Sequence, residues 1–336
     1  MIERKEYIDI SKGIGIFFII LVHLTVYKSV LSQILLSFCV AIFFFLSGVL
    51  YKERKNFKDF LCNLFNKLLV PLLIWGCLDF VFTIFWKYFI IGSQLNILEF
   101  FKMFLKIFFI TGSANSNGPL WYLCTLFQIE IIFYPLISYK CKYKKFCQFF
   151  LLVFMFFIGY FIHFKGLFRL GQIPVSFVFF QLGFLFKEKI MNLDRGVEKK
   201  YLFFLLVIIF VIGCWINGFS ELSTLNYGRN YFLYYTTALS MILAIILLSV
   251  KIQKNRILSF FGKNSLIIMC SHFYLTQYII PEIFKKLNLS SALNNIFLEF
   301  IIALCISLVM IPIITIINKY FSILCGKYEI NFFEKE

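Results

Sequence analysis

The chain has 336 residues, 61% of them apolar and 21% aromatic, with a formal net charge of +16 and a mean hydropathy of +0.88. So apolar a composition excludes both an ordinary water-soluble domain and a disordered chain, and leaves a polytopic membrane protein. The positive balance invites a nucleic-acid reading, but the basic residues lie between apolar runs and not in one patch, which speaks against that partner.

Ten stretches are apolar over a length that suits a membrane-crossing helix, at about 13 to 30, 33 to 50, 68 to 91, 119 to 138, 146 to 163, 173 to 187, 201 to 218, 230 to 250, 264 to 280 and 293 to 318. With the amino terminus inside, 24 of the 33 Lys and Arg residues fall on cytoplasmic segments and 9 on outer ones, which predicts cytoplasmic termini. The expected fold is therefore all-α, a single transmembrane domain of about ten helices over residues 1–336. Basic residues precede the first apolar run and no small-residue cleavage site follows it, so it reads as a retained helix and not a signal peptide. The ten cysteines form no CxxC pair and lie mostly in apolar runs, where a thiol acts as a small hydrophobe, so neither disulfides nor a metal site is expected.

In chain order, the first run, IDISKGIGIFFIILVH, carries Asp9, Lys12 and His23 in apolar surroundings. The eleven-residue step from Lys12 to His23 is three helical turns plus roughly 20°, so both fall on one face about 16 Å apart, with Asp9 nearly on the same side. The third span opens with LLVPLLIW and holds Asp79. The outer connector, 92 to 118, begins with NILEFFKMFLKIFF, whose Glu99, Lys102 and Lys106 recur at helical spacing and predict an interfacial amphipathic helix. A polar turn, TGSANSNGP, leads to PLWYL, with Trp121 and Tyr122 at the interface, and Glu130 lies mid-span. Near the end, FFGKNSLIIMCSHFYL places His272 inside the ninth span.

Counted from the cytoplasmic face, His23, Asp79, Glu130 and His272 all lie roughly 12 to 17 Å deep. Two imidazoles and two carboxylates at mid-membrane depth form a proton-handling layer, because imidazole titrates near neutrality and suits general acid or base work. The competing reading is four interhelical hydrogen bonds without chemistry. Lys12, Lys67 and Lys263 stand at helix ends on the inner side, where a lysine either holds a phosphate or snorkels to headgroups. Lys12 is set apart by sharing a helix face with His23, at a distance comparable with a pantetheine arm.

Five blocks, IDISKGIGIFFIILVH, FCVAIFFFLSG, KLLVPLLIW, NGPLWYL and FFGKNSLIIMCSHFYL, resemble in order the successive motifs of the membrane-bound acyltransferase family 3. The resemblance implies about ten transmembrane helices and transfer of an acyl group, usually acetyl from acetyl-CoA, to a sugar of an extracellular or cell-wall polymer. The family signature of a basic residue, ten intervening residues and an essential histidine matches Lys12 and His23. This chain departs from the pattern in having Lys for the commoner Arg at 12, which loses bidentate phosphate recognition, Cys39 where many members have His, and Ala41 where they have Pro.

The expectation that results is a multi-pass enzyme of a bacterial plasma membrane, with no permanently bound cofactor. Acyl-CoA, probed as acetyl-CoA, would be the cosubstrate, with its phosphates at Lys12, Asp9, Lys67 and Lys263. A glycan or lipid-linked sugar would be the acceptor, near Asn117 and Trp121. His23 would be the general base, aided by Asp79, Glu130 or His272. The lipid bilayer is the other partner, with nucleic acid excluded and the oligomeric state open. Two rivals remain: a transporter or flippase of a lipid-linked sugar, since mid-membrane ionisable residues also mark carriers, and an acyltransferase-like sensor without turnover.

Overall fold

A computed structural model describes residues 5–25, 29–54, 56–94, 96–109, 118–138, 143–193, 200–289, 293 and 295–327. Sixteen α-helices are formed among them: α1 (Glu6–Val22), α2 (Val30–Leu36), α3 (Ala41–Leu50), α4 (Phe57–Leu64), α5 (Val70–Phe85), α6 (Ile97–Phe109), α7 (Trp121–Ser138), α8 (Lys144–Phe161), α9 (Ile173–Leu185), α10 (Lys187–Met191), α11 (Lys200–Asn217), α12 (Tyr231–Ile252), α13 (Arg256–Lys263), α14 (Ser265–Tyr274), α15 (Ile280–Lys286) and α16 (Ile296–Tyr320). No strand occurs among the described residues, and the all-α integral membrane architecture expected from composition is what the chain adopts.

Among the described residues eight stretches are long and apolar enough to cross a membrane: Val30–Leu50, Phe57–Ile90, Trp121–Ser138, Lys144–Phe161, Leu167–Leu185, Lys200–Asn217, Tyr231–Ile252 and Ile296–Tyr320. Each coincides with one of the ten apolar runs. The other two runs hold the two central histidines. The first is α1, a helix of 17 residues, and the second is the α14–α15 pair, interrupted by a π-turn at Leu275–Ile279. The first is one residue short of the length of the shortest spanning stretch and the second is broken into short pieces; α1 and α14 are largely buried in protein, whereas α15 has no buried residue.

The helical breaks have a local cause. Proline lacks an amide hydrogen and its ring clashes with the carbonyl four residues back, so the turn before it must widen. Pro71 near the start of α5 follows the π-turn Phe65–Leu69, and Pro281 near the start of α15 follows Leu275–Ile279.

The chain divides into two compact units, Met1–Tyr51 with Val175–Ile314, and Lys52–Pro174 with Thr315–Glu336. In the first unit, α1 runs antiparallel to α13 at very close approach. A methyl group on Gly13 would strike the Leu258 carbonyl, and one on Gly262 would strike the Asp9 carbonyl. Small residues at such contacts let backbones touch, which is how helices gain dispersion energy where lipid offers no hydrophobic driving force. The same device seats α3 on α9, through Gly48 and Gly183. Polar ties then pin the helix ends: Tyr7 donates to the Ile190 carbonyl at 2.6 Å, Ser259 donates to Glu6 at 3.0 Å, and Lys187 donates to the Tyr51 carbonyl at 2.5 Å.

In the second unit Phe60 stacks on Tyr134 with ring centroids 4.2 Å apart, and the Trp75 indole donates to the Leu324 carbonyl at 3.1 Å. The amphipathic helix expected in the outer connector is α6. Its Met103 and Ile107 bury against Phe80 and Ile84 of α5, while Glu99 and Lys102 remain exposed. On α8 the exposed rings include Phe146, Phe150 and Phe161, and on α11 the exposed side chains include Phe204, Ile208 and Trp215. Apolar surface on that scale faces lipid, because in water it would drive aggregation.

The α1–α13 contact yields a first prediction. Gly262→Ala should overpack it and cost about 1–3 kcal/mol, read as earlier heat-induced aggregation in detergent. Wild-type heat stability of that variant would show that the two backbones do not touch.

Candidate active site

The first helix is built to deliver His23 at its end. Glu6 and Asp9 lie in its first turn, where carboxylates complement the positive end of the helix dipole. The expected span from residue 13 to 30 is displaced: α1 begins at Glu6 and ends at Val22. It starts early because Asp9, only 1% exposed, is covered by α13 and not left to lipid, so charge does not terminate the helix. It stops at Val22, whose carbonyl accepts from the Thr25 hydroxyl at 2.9 Å. His23 is therefore the capping residue of the helix and not a mid-helix side chain, and it is half-buried.

His272 approaches from α14. Its Nδ1 lies 2.7 Å from the Ile268 carbonyl one turn back. A carbonyl oxygen only accepts, so Nδ1 is the donor, and in the neutral ring the proton sits there and leaves Nε2 as an acceptor. Nε2 is sealed from solvent and has no hydrogen-bond partner among the described residues. His272 is 0% exposed. The two imidazole centroids are 5.1 Å apart with planes inclined at 46°, and Phe273 stands edge-on to His23 at 5.5 Å. Thr276 donates to the His272 carbonyl at 3.2 Å, and the Gln277 side-chain amide donates to the His23 carbonyl at 2.6 Å.

Of the residues singled out in the sequence, the first unit thus brings His23 and His272 together. Asp9 and the half-buried Lys12 share α1 with His23, and Lys263 is exposed at the end of α13, beside the Gly262 contact with α1. The other candidates belong to the second unit. Asp79 on α5 is 4% exposed and Glu130 on α7 is 7% exposed, with Lys67 and Arg54 as the charges that act on Glu130. Lys67 is exposed in the π-turn ahead of α5, and Trp121 is buried at the start of α7. Asn117 lies outside the described residues.

Sequence reading missed Gln277, which the π-turn turns toward the pair, although Pro281 four residues later was a usable signal. It also missed a tyrosine cluster in the first unit. There Tyr231 and Tyr235 share a hydrogen bond of 3.1 Å, Tyr227 packs edge-on to Tyr231 at 4.9 Å, and burial pushes the Tyr227 hydroxyl above its usual range.

An open imidazole acceptor beside a second, more accessible imidazole can take up and return a proton. That is what activating a hydroxyl by general base catalysis requires. Comparison with known proteins adds one finding: a family model described as an acyltransferase domain matches residues 5–318. No curated protein and no solved structure matches the chain.

The difference in exposure between the rings gives a direct check. Diethyl pyrocarbonate should modify His23 well ahead of His272 in the folded protein, as read by peptide mass spectrometry. Equal rates would mean that the seal over His272 is absent.

Proposed function

The chain belongs to the membrane-bound acyltransferase family 3, since the family model spans nearly its whole length, and from that premise we propose that it is an O-acyltransferase of the plasma membrane. The donor in this reading is a cytoplasmic acyl-CoA, with acetyl-CoA as the cosubstrate and no resident cofactor. The acceptor is a hydroxyl of a cell-surface or lipid-linked glycan. The observation that carries the reading is the His23–His272 pair at 5.1 Å, one ring half-open and the other sealed with a free acceptor nitrogen.

The chemistry balances on one base. His23 takes the proton of the acceptor hydroxyl as its oxygen attacks the thioester carbonyl. The tetrahedral intermediate then collapses with cleavage of the carbon–sulfur bond, and the proton returns to the departing thiolate. His272 Nε2 supplies a second acceptor beside that ring, which supports the imidazolium while it lasts. Lys12 and Lys263 in the first unit provide positive charge for the donor phosphates. Lys12, eleven residues and about 16 Å along the helix from His23, suits a phosphate at one end of a pantetheine arm and a thioester at the other.

A variant of the reading makes His272 the primary base. It is favoured by the Nδ1 bond to Ile268, which already holds that ring in the tautomer a base requires. His23→Ala separates the two, because it costs at least about a hundredfold in the first and much less in the variant.

Incubation of membranes with labelled acetyl-CoA and a glycan should transfer label to glycan, and surface glycan from cells lacking the protein should lose an acyl mass. Movement of glycan without label transfer would instead identify a carrier. His23→Ala should reduce transfer at least about a hundredfold with acyl-CoA binding retained, the usual scale of a positioned proton transfer. Lys12→Arg should keep much of the activity while Lys12→Ala chiefly raises KM for acyl-CoA. Equal loss in both lysine variants with unchanged binding would make Lys12 an anchor and not a phosphate ligand.

A further inference from the structure

We propose that Gln277 is the positioning residue of the histidine pair, its side-chain amide holding the end of α1 so that the His23 ring keeps its place against His272. The proposal rests on the acyl-transfer reading for its kinetic consequences, but its geometry stands independently.

The last carbonyls of a helix have no donor within the helix. At the end of α1 one of these, the His23 carbonyl, accepts from Gln277 Nε2 at 2.6 Å, across 254 residues of sequence. The tie falls on the backbone of the very residue whose side chain faces His272. A helix end without such a partner frays, and a frayed end would let the His23 ring wander by more than the tolerance of proton transfer.

Gln277 is itself exposed, so packing does not explain a long polar side chain on this largely apolar helix. An amide in that setting is costly unless hydrogen-bonded, and its bond to His23 meets that need. Its direction comes from the π-turn. Along a regular α-helix, residue 277 would lie about 140° around the axis from residue 272. The π-turn Leu275–Ile279 closes its hydrogen bond over five residues, Ile280 N–H to Leu275 O, and winds less per residue, which swings Gln277 back toward the face that carries His272. Pro281 sits just beyond the turn and enforces the widening. One helix thus carries both the sealed imidazole and the amide that secures its partner. In this proposal Gln277 acts through the His23 backbone, whose carbonyl its amide binds.

The test uses the full-length protein in lipid nanodiscs. Gln277→Met keeps the length of the side chain and removes the donor. A control is Gln33→Met, because Gln33 Nε2 makes the same kind of interhelical bond, to the Cys214 carbonyl at 2.9 Å and not to a histidine. Gln277→Met should lower kcat about tenfold or more with KM for acetyl-CoA held within about twofold, whereas Gln33→Met should leave both near wild type. Independently of turnover, the ratio of diethyl pyrocarbonate modification at His23 to that at His272 should rise by about threefold or more in Gln277→Met alone. A modification ratio and kcat that move no more in Gln277→Met than in Gln33→Met would overturn the proposal. If the wild-type protein transfers no acyl group, the functional reading fails, and the modification ratio still decides whether Gln277 positions His23.

Discussion

Two hydrogen bonds hold the central histidines, one on the His272 ring and one on the His23 backbone, and the rest of the candidate site depends on them. The Ile268 carbonyl receives the His272 Nδ1 proton, which fixes the ring's orientation and its tautomer together. The side-chain amide of Gln277 donates to the carbonyl of His23 and anchors the end of α1. In a low-dielectric interior an unmet polar group costs several kcal/mol, so the groups that meet them are strongly constrained. The lone pair of His272 Nε2 is left unmet, a buried acceptor beside the more open His23 ring.

The helices are arranged to permit this. The contact of α1 with α13 over Gly13 and Gly262 brings a helix with Glu6, Asp9 and Lys12 into the protein interior, where those charges are sheltered from hydrocarbon. The chain reverses at Asn264, and α14 then returns alongside α1, its Ile268 lining the same small apolar space as Ile16 and Ile20. His272 follows one turn later and meets the end of α1. The site is thus a consequence of two glycines, one reversal and a proline-linked π-turn.

Much of this was legible in the residues. Composition announced the membrane, and all eight stretches able to cross it coincide with apolar runs. Depth counting placed His23 and His272 at one level because both helices start near the same end of the unit and each residue adds about 1.5 Å. The burial of Asp79 and Glu130 followed from their positions inside apolar helices. Helix bounds were harder: α1 was expected to start past Lys12, since charge ordinarily marks a membrane boundary, and only the contact with α13 explains why it starts at Glu6. Gln277 was invisible for a similar reason. Periodicity counted at 3.6 residues per turn sends it away from His272, and the π-turn that corrects this is a property of Pro281 acting on the preceding turn.

The central claim, that the two imidazoles act as one proton-handling unit, is tested most directly by a double-mutant cycle on kcat/KM with His23→Ala, His272→Ala and the double variant. Groups acting as a unit are strongly non-additive, so the account predicts that the double variant is scarcely slower than His23→Ala alone. Losses that multiply would contradict it, since independent losses are the mark of two separate roles.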